Sequence, residues 1–226
     1  MPFQLQGKSA SIVEVGGAGF NAANTHFKPL EFKSQDGSVT LGHYRVNHRT
    51  VLLAAQAANS RLFSFRNTGT SLCVTTRLVV KWFQTAAHTA MIEDSLDVFR
   101  VTGFTVSPTT NSVALTPSVK RTSMALAANA IGKCFGVAIA GAAGGMTGDT
   151  LTKDGTSIGQ LPLLLALAAP TSGVPSVLDV FDDVNGTHPL VFAQNEGFEI
   201  ENRVLLGAAA GSSVYVDHSW AEVVAF

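Results

Sequence analysis

The sequence predicts a mainly β protein: an antiparallel β-sandwich, jelly-roll-like, preceded by an extended N-terminal arm. Three observations carry this. Residues 72–83 alternate for twelve positions. Leu72, Val74, Thr76, Leu78, Val80 and Trp82 fall on one side; Cys73, Thr75, Arg77, Val79, Lys81 and Phe83 fall on the other. A period of two over such a run marks a half-buried strand. Residues 198–206 repeat it, with Phe198, Ile200, Val204 and Leu206 inward, Glu199, Glu201 and Arg203 outward, and Asn202 as a polar intruder on the inner side. Finally, strand-like runs do not alternate with helical ones. That disfavours a parallel βαβ sheet and leaves a sandwich or jelly roll.

Taken in order, residues 1–38 read as an arm, polar and Gly/Ala/Asn-rich around 16–24, with Phe3, Phe20, Phe27 and Phe32 scattered along it. Residues 39–226 read as one sandwich domain. Its shorter β-rich runs are 39–46, 61–66, 98–106, 189–194 and 213–226. Turn clusters separate them at 34–37 (SQDG), 67–70 (NTGT), 185–187 (NGT) and 195–197 (NEG). Residues 50–59, 85–96 and 120–130 carry weak helical signals, none with a sustained apolar stripe at 3.6 spacing. Residues 141–175 form a Gly/Thr-rich excursion between strands, of a length that belongs to functional or packed connections.

Composition narrows the function. Charged residues make up 14% of the chain, against about 25% in an average soluble protein. Hydrophobic residues make up 46%, and the mean hydropathy is +0.26. Disorder, which needs low hydrophobicity and high charge, is excluded. The 15 Lys and Arg are cancelled by 16 Asp and Glu, which argues against a broad basic face for nucleic acid. The surface must therefore be built from Ser, Thr, Asn, Gly and Ala, as in subunits of large assemblies. Thr75, Val79 and Phe83, neutral or apolar on the outer side of their strand, point the same way. The longest apolar stretches, 161–169 and 134–146, fall short of the ~18 residues of a membrane span. The first fifteen residues lack a basic stretch followed by an unbroken apolar core, so no secretory signal is expected. Cys73 and Cys134 could pair, but nothing in the sequence requires it, and they read as two buried thiols of a chain made in a reducing cytoplasm.

No motif commits the chain to chemistry. Gly17, Gly19 and Ala22 fit G-x-G-x-x-A after a strand-like 11–15, but residues 21–29 lack the helix that would present its N-terminus to a pyrophosphate. His43 and His48, five apart, fall on opposite faces of a strand. Asp179, Asp182, Asp183, Asn185 and His188 cluster before the run at 189 without the closing glutamate of a calcium loop. His26 and His88 have no partner at ligand spacing, and His218, beside Trp220, reads as a hydrogen-bonded core or interface histidine. Glu93/Asp94 and Glu199/Glu201 are carboxylate pairs; Glu199 and Glu201 share a face, as glycosidase acids can, but they point away from Phe198 and Ile200 and read as a solvated outer face. Lys120-Arg121 is one small basic patch. There is no G-x-S-x-G elbow. The expectation is therefore no catalytic, cofactor-binding or metal-binding residue, and no enzyme. A glycan-binding module on this architecture would need exposed aromatics, for which only Trp82, Trp220, Tyr44 and Tyr215 qualify.

Particular segments resemble a known group. Lys120-Arg-Thr-Ser-Met124, then 186–198 (GTHPLVFAQNEGF), then 214–223 (VYVDHSWAEV), with 61–66 (RLFSFR) upstream, resemble small virion structural proteins of tailed bacteriophages. The resemblance spans roughly residues 60–226. It implies a virion location, synthesis in the host bacterial cytoplasm, and a capsid cement or decoration role. Expected partners are the major capsid protein and copies of itself as a homotrimer, with no nucleic acid, membrane or small-molecule substrate. A tail, collar or adaptor role is the alternative it leaves open. The arm and residues 141–175 are the expected intersubunit contacts.

Overall fold

The computed structural model describes residues 3–6, 12–15, 40–87, 91–119, 133–137, 145–165, 175–182, 189–206 and 211–223. Among them every regular element is a strand. Phe3–Gln6 (β1) and Ile12–Val15 (β2) pair as an antiparallel hairpin within the predicted arm.

The remaining strands form two antiparallel sheets, as the alternating patterns predict. The first has the order β12-β5-β15-β3-β8, from Ser176–Asp182, Leu72–Gln84, Ser212–Val223, Thr40–Arg49 and Ser118–Val119. The short β13 (Val191–Phe192) continues the β12 edge along β5. The second has the order β10-β6-β14-β4-β9-β7, from Thr150–Lys153, Ile92–Val106, Gly197–Asn202, Arg61–Arg66, Lys133–Val137 and Ser112–Leu115. On its outer edge β11 (Gly159–Leu165) pairs with the first half of β6, beside β10.

The pairing is nested. β3 pairs with β15, β4 with β14, β5 with β12 and β13, and β6 with β10 and β11. The first strand of the domain thus joins the last, the second the last but one. Two further pairings, β5 with β15 and β6 with β14, close the sheets. This is the strand order of a jelly roll, a long double-stranded ribbon wrapped into two layers. The 107–149 connection adds three strands to it: β8 extends the first sheet, β9 and β7 the second.

Between the layers lies one principal core. Tyr44, Val46, Leu78, Val80, Trp82, Val214, Val216 and Trp220 come from the first sheet; Leu62, Phe63, Phe65, Leu96, Val98, Phe198 and Ile200 come from the second. At its centre the ring of His218 stacks on Trp220 (centroids 4.9 Å apart). It meets Phe65 and Phe198 edge-on at 4.6 and 4.9 Å. Such aromatic pairs add about 0.5–1.5 kcal/mol each beyond area burial. The expectation of a core histidine holds: His218 Nε2 lies 3.2 Å from Thr75 Oγ1.

Several local expectations change. The alternation of residues 72–83 breaks at Thr76. Thr75 faces Trp220 and Arg77 faces Ser219, which leaves Thr76 unopposed as a β-bulge. One extra residue inverts the faces of everything before it. Cys73, a buried thiol outside any disulfide, therefore joins the main core, and Thr75 reaches His218 from the same side. Leu72 and Val74 turn outward into a second small cluster with Val191, Ala221 and Val223. Val79 keeps its outward position but is only 3% exposed, covered by its own chain. Residues 198–206 are not one strand: β14 ends at Asn202, whose side chain donates to the carbonyls of Ala57 (2.9 Å) and Val204 (2.6 Å) and holds a turn. Val204 is consequently exposed.

Residues 50–59 form neither helix nor strand. Positive φ at Ala55 (49°) and Asn59 (59°) breaks any helix, and Leu53 makes an isolated bridge to Ser212. The described part of 85–96 joins β6 from Ile92 onward; residues 120–130 lie outside the described residues. The stretch read as an excursion, 141–175, supplies β10 and β11 in its described part. Pro162 obscured β11 in the sequence. An edge strand tolerates it, because β11 needs donors on one side only.

Candidate functional site

Three places concentrate chemistry that the core does not use. The first lies on the outer face of the second sheet. Glu199 and Glu201 of β14 point away from Phe198 and Ile200, as the period of two requires. They are not solvated, however: Glu199 is 0% and Glu201 4% exposed. A second bulge explains their company. Ile200 faces Phe63 while Glu201 faces Arg61, so Leu62 is the unopposed residue and Arg61 swings onto the carboxylate face. Arg61 Nε lies 2.9 Å from Glu199 and 3.5 Å from Glu201, and its guanidinium also pairs with Asp149. From β10, Lys153 Nζ lies 2.6 Å from Glu201 and 3.1 Å from Glu199, over the ring of Phe99.

Three carboxylates thus share two cations. Burial, with the adjacent Glu201 next in size, pushes the Glu199 carboxyl up to about 7, against the pull of Lys153 and Arg61. The contacts to Glu199 are close but poorly aligned for hydrogen bonding, which fits that direction. Lys153 is raised: burial pulls it down, and the hydrogen bond and charge of its two glutamates outweigh that. A raised glutamate beside a second carboxylate is the pairing a glycosidase uses. At 0% exposure it offers no approach to a substrate, and its partners fix strands to one another. The cluster reads as a brace joining β4, β14, β10 and the Asp149 turn.

The second place is the outer face of the first sheet. An open depression of about 320 Å³ is lined there by Arg45, Asn47, Arg49, Lys81, Tyr215 and Asp217, among others. Arg45 grips Asp217 through two hydrogen bonds (2.8 and 2.7 Å), and Arg77 Nε approaches the same carboxylate at 3.3 Å. The hydrogen bond to Asp217 holds Arg45 above the ordinary guanidinium range.

The third is an end of the sandwich. There β3, β5, β11 and β14 finish and β4, β6, β12 and β15 begin. Backbone hydrogen bonds from Leu53 to Ser212, Asn59 to Asn202 and Leu206 to Gln56 tie the connections together. Nine large apolar side chains are exposed among the described residues. Six of them sit at this end: Leu52, Met91, Leu164, Val177, Val204 and Leu205, with Leu164 and Met91 the most open at 64% and 62%. The connections 50–60, 85–91, 166–175 and 203–211 contain one formal charge between them, Arg203.

The remaining candidates from the sequence disperse. His43 and His48 stand opposite Ala221 and Val216 and point to opposite sides of β3; burial lowers the His48 pKa. Asp179 is exposed on β12 opposite Val79. Gly17, Gly19, Ala22, His26, His88, Lys120, Arg121, Asp183, Asn185 and His188 lie outside the described residues. Among the described residues no group of three His, Cys, Asp or Glu side chains could hold a metal ion, and no helix is long and apolar enough to cross a membrane. Of the four aromatics open to a glycan, Trp82, Trp220 and Tyr44 are buried in the core. Tyr215, half-buried, lines the depression. No known protein family, curated protein or solved structure matches this chain.

Proposed function

We propose that this protein is a non-enzymatic structural subunit of a bacteriophage particle, acting as a cement or decoration protein that binds between major capsid subunits and to copies of itself, as a homotrimer. The apolar end of the sandwich is the observation that carries this. Leu52, Met91, Val204 and Leu205 come from three connections and Leu164 and Val177 from the ends of β11 and β12, yet all six open at one end. An apolar group of this kind favours being covered, at roughly 25 cal/mol for each Å² withdrawn from water. With Arg203 the one charge in the four connections and Glu93, opposite Leu164, an exposed carboxylate on the neighbouring strand, covering this end involves few ions. A symmetric shell would repeat the contact identically and multiply it. The resemblance of residues 60–226 to phage virion proteins names the kind of particle.

The test is particle association of the full chain and of Leu164→Asp/Leu205→Asp. The unsubstituted chain is expected on purified particles at hundreds of copies, and the double variant is expected to be lost from them with an unchanged melting temperature. Retention of the variant at full occupancy would overturn the docking end. A copy number of three to twelve would move the protein to the tail or collar.

A further inference from the structure

The outer face of the first sheet carries a row that the docking end does not use. Tyr215 of β15 stands directly opposite Arg49 of β3 on one side and Lys81 of β5 on the other. Neighbouring strands lie about 4.8 Å apart, so two long cationic side chains flank one phenol at a spacing they can close. Arg49 Cζ sits 5.2 Å from the Tyr215 ring centre, and Phe83 packs against the same ring at 4.8 Å. The next row is Asn47, Asp217 and Val79, and the one beyond is Arg45, Ser219 and Arg77.

Charge separates the two cation pairs. Arg45 and Arg77 are both spent on Asp217. Among the described residues no carboxylate lies within ion-pair distance of Arg49 or Lys81. These two line the depression of about 320 Å³ together with Tyr215, Asn47 and Asp217. In a chain whose net charge is −1, two cations without a carboxylate partner among the described residues, beside an aromatic wall, make a local excess of positive charge.

We propose that this depression binds an acidic saccharide. Its carboxylate sits between the Arg49 guanidinium and the Lys81 ammonium. Its ring C–H face packs on Tyr215, whose ring Phe83 supports from the side, and its hydroxyls meet the Asn47 amide and the Asp217 carboxylate, which Arg45 holds in place. The volume suits about one sugar unit, and the open face admits a longer chain. Each residue does what its type does well: a planar fork and a point charge for the anion, an aromatic for the apolar side of a sugar, an amide and a carboxylate for hydroxyls. The site stands independently of the docking end and makes no use of its residues.

The experiment is calorimetric titration of the full chain at low salt with a glucuronate-containing oligosaccharide. A neutral glucose oligosaccharide of equal length and inorganic phosphate serve as the other arms. Saturable binding of the uronate oligosaccharide is expected. It should weaken at least tenfold in Lys81→Ala, in Arg49→Ala and in Tyr215→Ala, and also on raising the salt to 0.5 M, while Arg203→Ala binds as the unsubstituted chain does. Melting temperatures of the variants confirm their folding. Three results would overturn the assignment: no saturable binding of the acidic oligosaccharide, equal binding of the neutral one, or phosphate competing at equal affinity, which would reduce the site to an unselective anion patch.

Discussion

Thr75 stands opposite Trp220, although two residues later Arg77 stands opposite Ser219. Thr76 has no opposite number, and its side chain is nevertheless buried with an unpartnered hydroxyl. Deleting Thr76 would set Thr75 next to Arg77 and leave a plain alternation in which Cys73 and Thr75 still face the core and Leu72 and Val74 still face outward. Only the local bend and extra twist of the bulge are removed, so the deletion is expected to keep cooperative unfolding in urea, and loss of the cooperative transition would show that the bend itself is required. Thr76→Val keeps the bulge and removes a buried, unsatisfied hydroxyl. It is expected to be neutral or to stabilise by about 1 kcal/mol, and a loss above that size would show that the hydroxyl has a partner.

The buried glutamates give a pH dependence with a definite sign. Glu199 is raised from its ordinary 4.5 to about 7, so the folded state holds a proton that the unfolded chain releases earlier. Its stabilising contribution is complete below about pH 4.5 and is lost as the pH rises through about 7. His48 acts in the opposite sense. Its pKa is lowered by burial, so stability is lost as the pH falls through its folded value. Comparing Glu199→Gln with the unsubstituted chain isolates the first effect. The stability difference should shift in favour of the variant between pH 5 and 8, by an amount of order 2–3 kcal/mol at one pKa unit per 1.4 kcal/mol. A difference independent of pH would contradict the assigned direction.

Arg61 is half of the cationic charge in that cluster. Arg61→Met would leave Glu199, Glu201 and Asp149 with Lys153 alone, and removing one partner from a buried ion network costs about 3–5 kcal/mol. The double variant Arg61→Met/Glu199→Gln is expected to recover at least half of the loss. Additive effects in a double-mutant cycle would mean that the two side chains do not interact.

Gly197 opens β14 where the backbone of Phe65 passes closest. A Cβ there would lie 1.8 Å from the Phe65 carbonyl oxygen and 2.8 Å from its carbon, atoms fixed in the sheet. Gly197→Ala is expected to cost more than 3 kcal/mol, within the range of severe overpacking or failure to fold. Gly103→Ala, where a Cβ meets nothing within 4 Å, is expected to shift the melting temperature by no more than a degree or two. Thermal unfolding of the two variants, side by side, checks both.

The two sheets and most of the inward residues follow from alternation alone, because Leu78, Val80, Trp82, Phe198 and Ile200 need only a period of two to face the core. Two bulges escape such a reading. Nothing about Thr76 or Leu62 as residue types announces that the partner strand will skip them, and each reassigns the side chains around it. The burial of Glu199 and Glu201 was hidden for the same reason. Their cover comes from Arg61, turned by a bulge, and from Lys153 and Asp149, nearly fifty residues away along the chain. The depression around Tyr215 was legible only as an aromatic that could serve. The row Arg49, Tyr215, Lys81 exists through cross-strand register, which joins residues that no spacing along the chain connects.

The nested pairing has a consequence for how the molecule comes into being. Arg45 and Asp217 are 172 positions apart, yet their side chains pair diagonally across neighbouring strands of the first sheet. While the chain is being synthesised, β3 and β4 can meet β8 and β9 early, but their edges toward β15 and β14 stay unpaired until nearly everything else has emerged. Along the ribbon the shortest loop to close lies at its tip, where β6 meets β10, and zipping backward from there toward β3 and β15 is the expected order. Contacts so remote in sequence place the protein among slow folders, in the range of milliseconds to seconds, with apolar strands open to misassociation in the interval. The earliest strand of the sandwich is the last to be paired on both edges, and protection by a chaperone during that delay would determine how much of the chain is recovered folded.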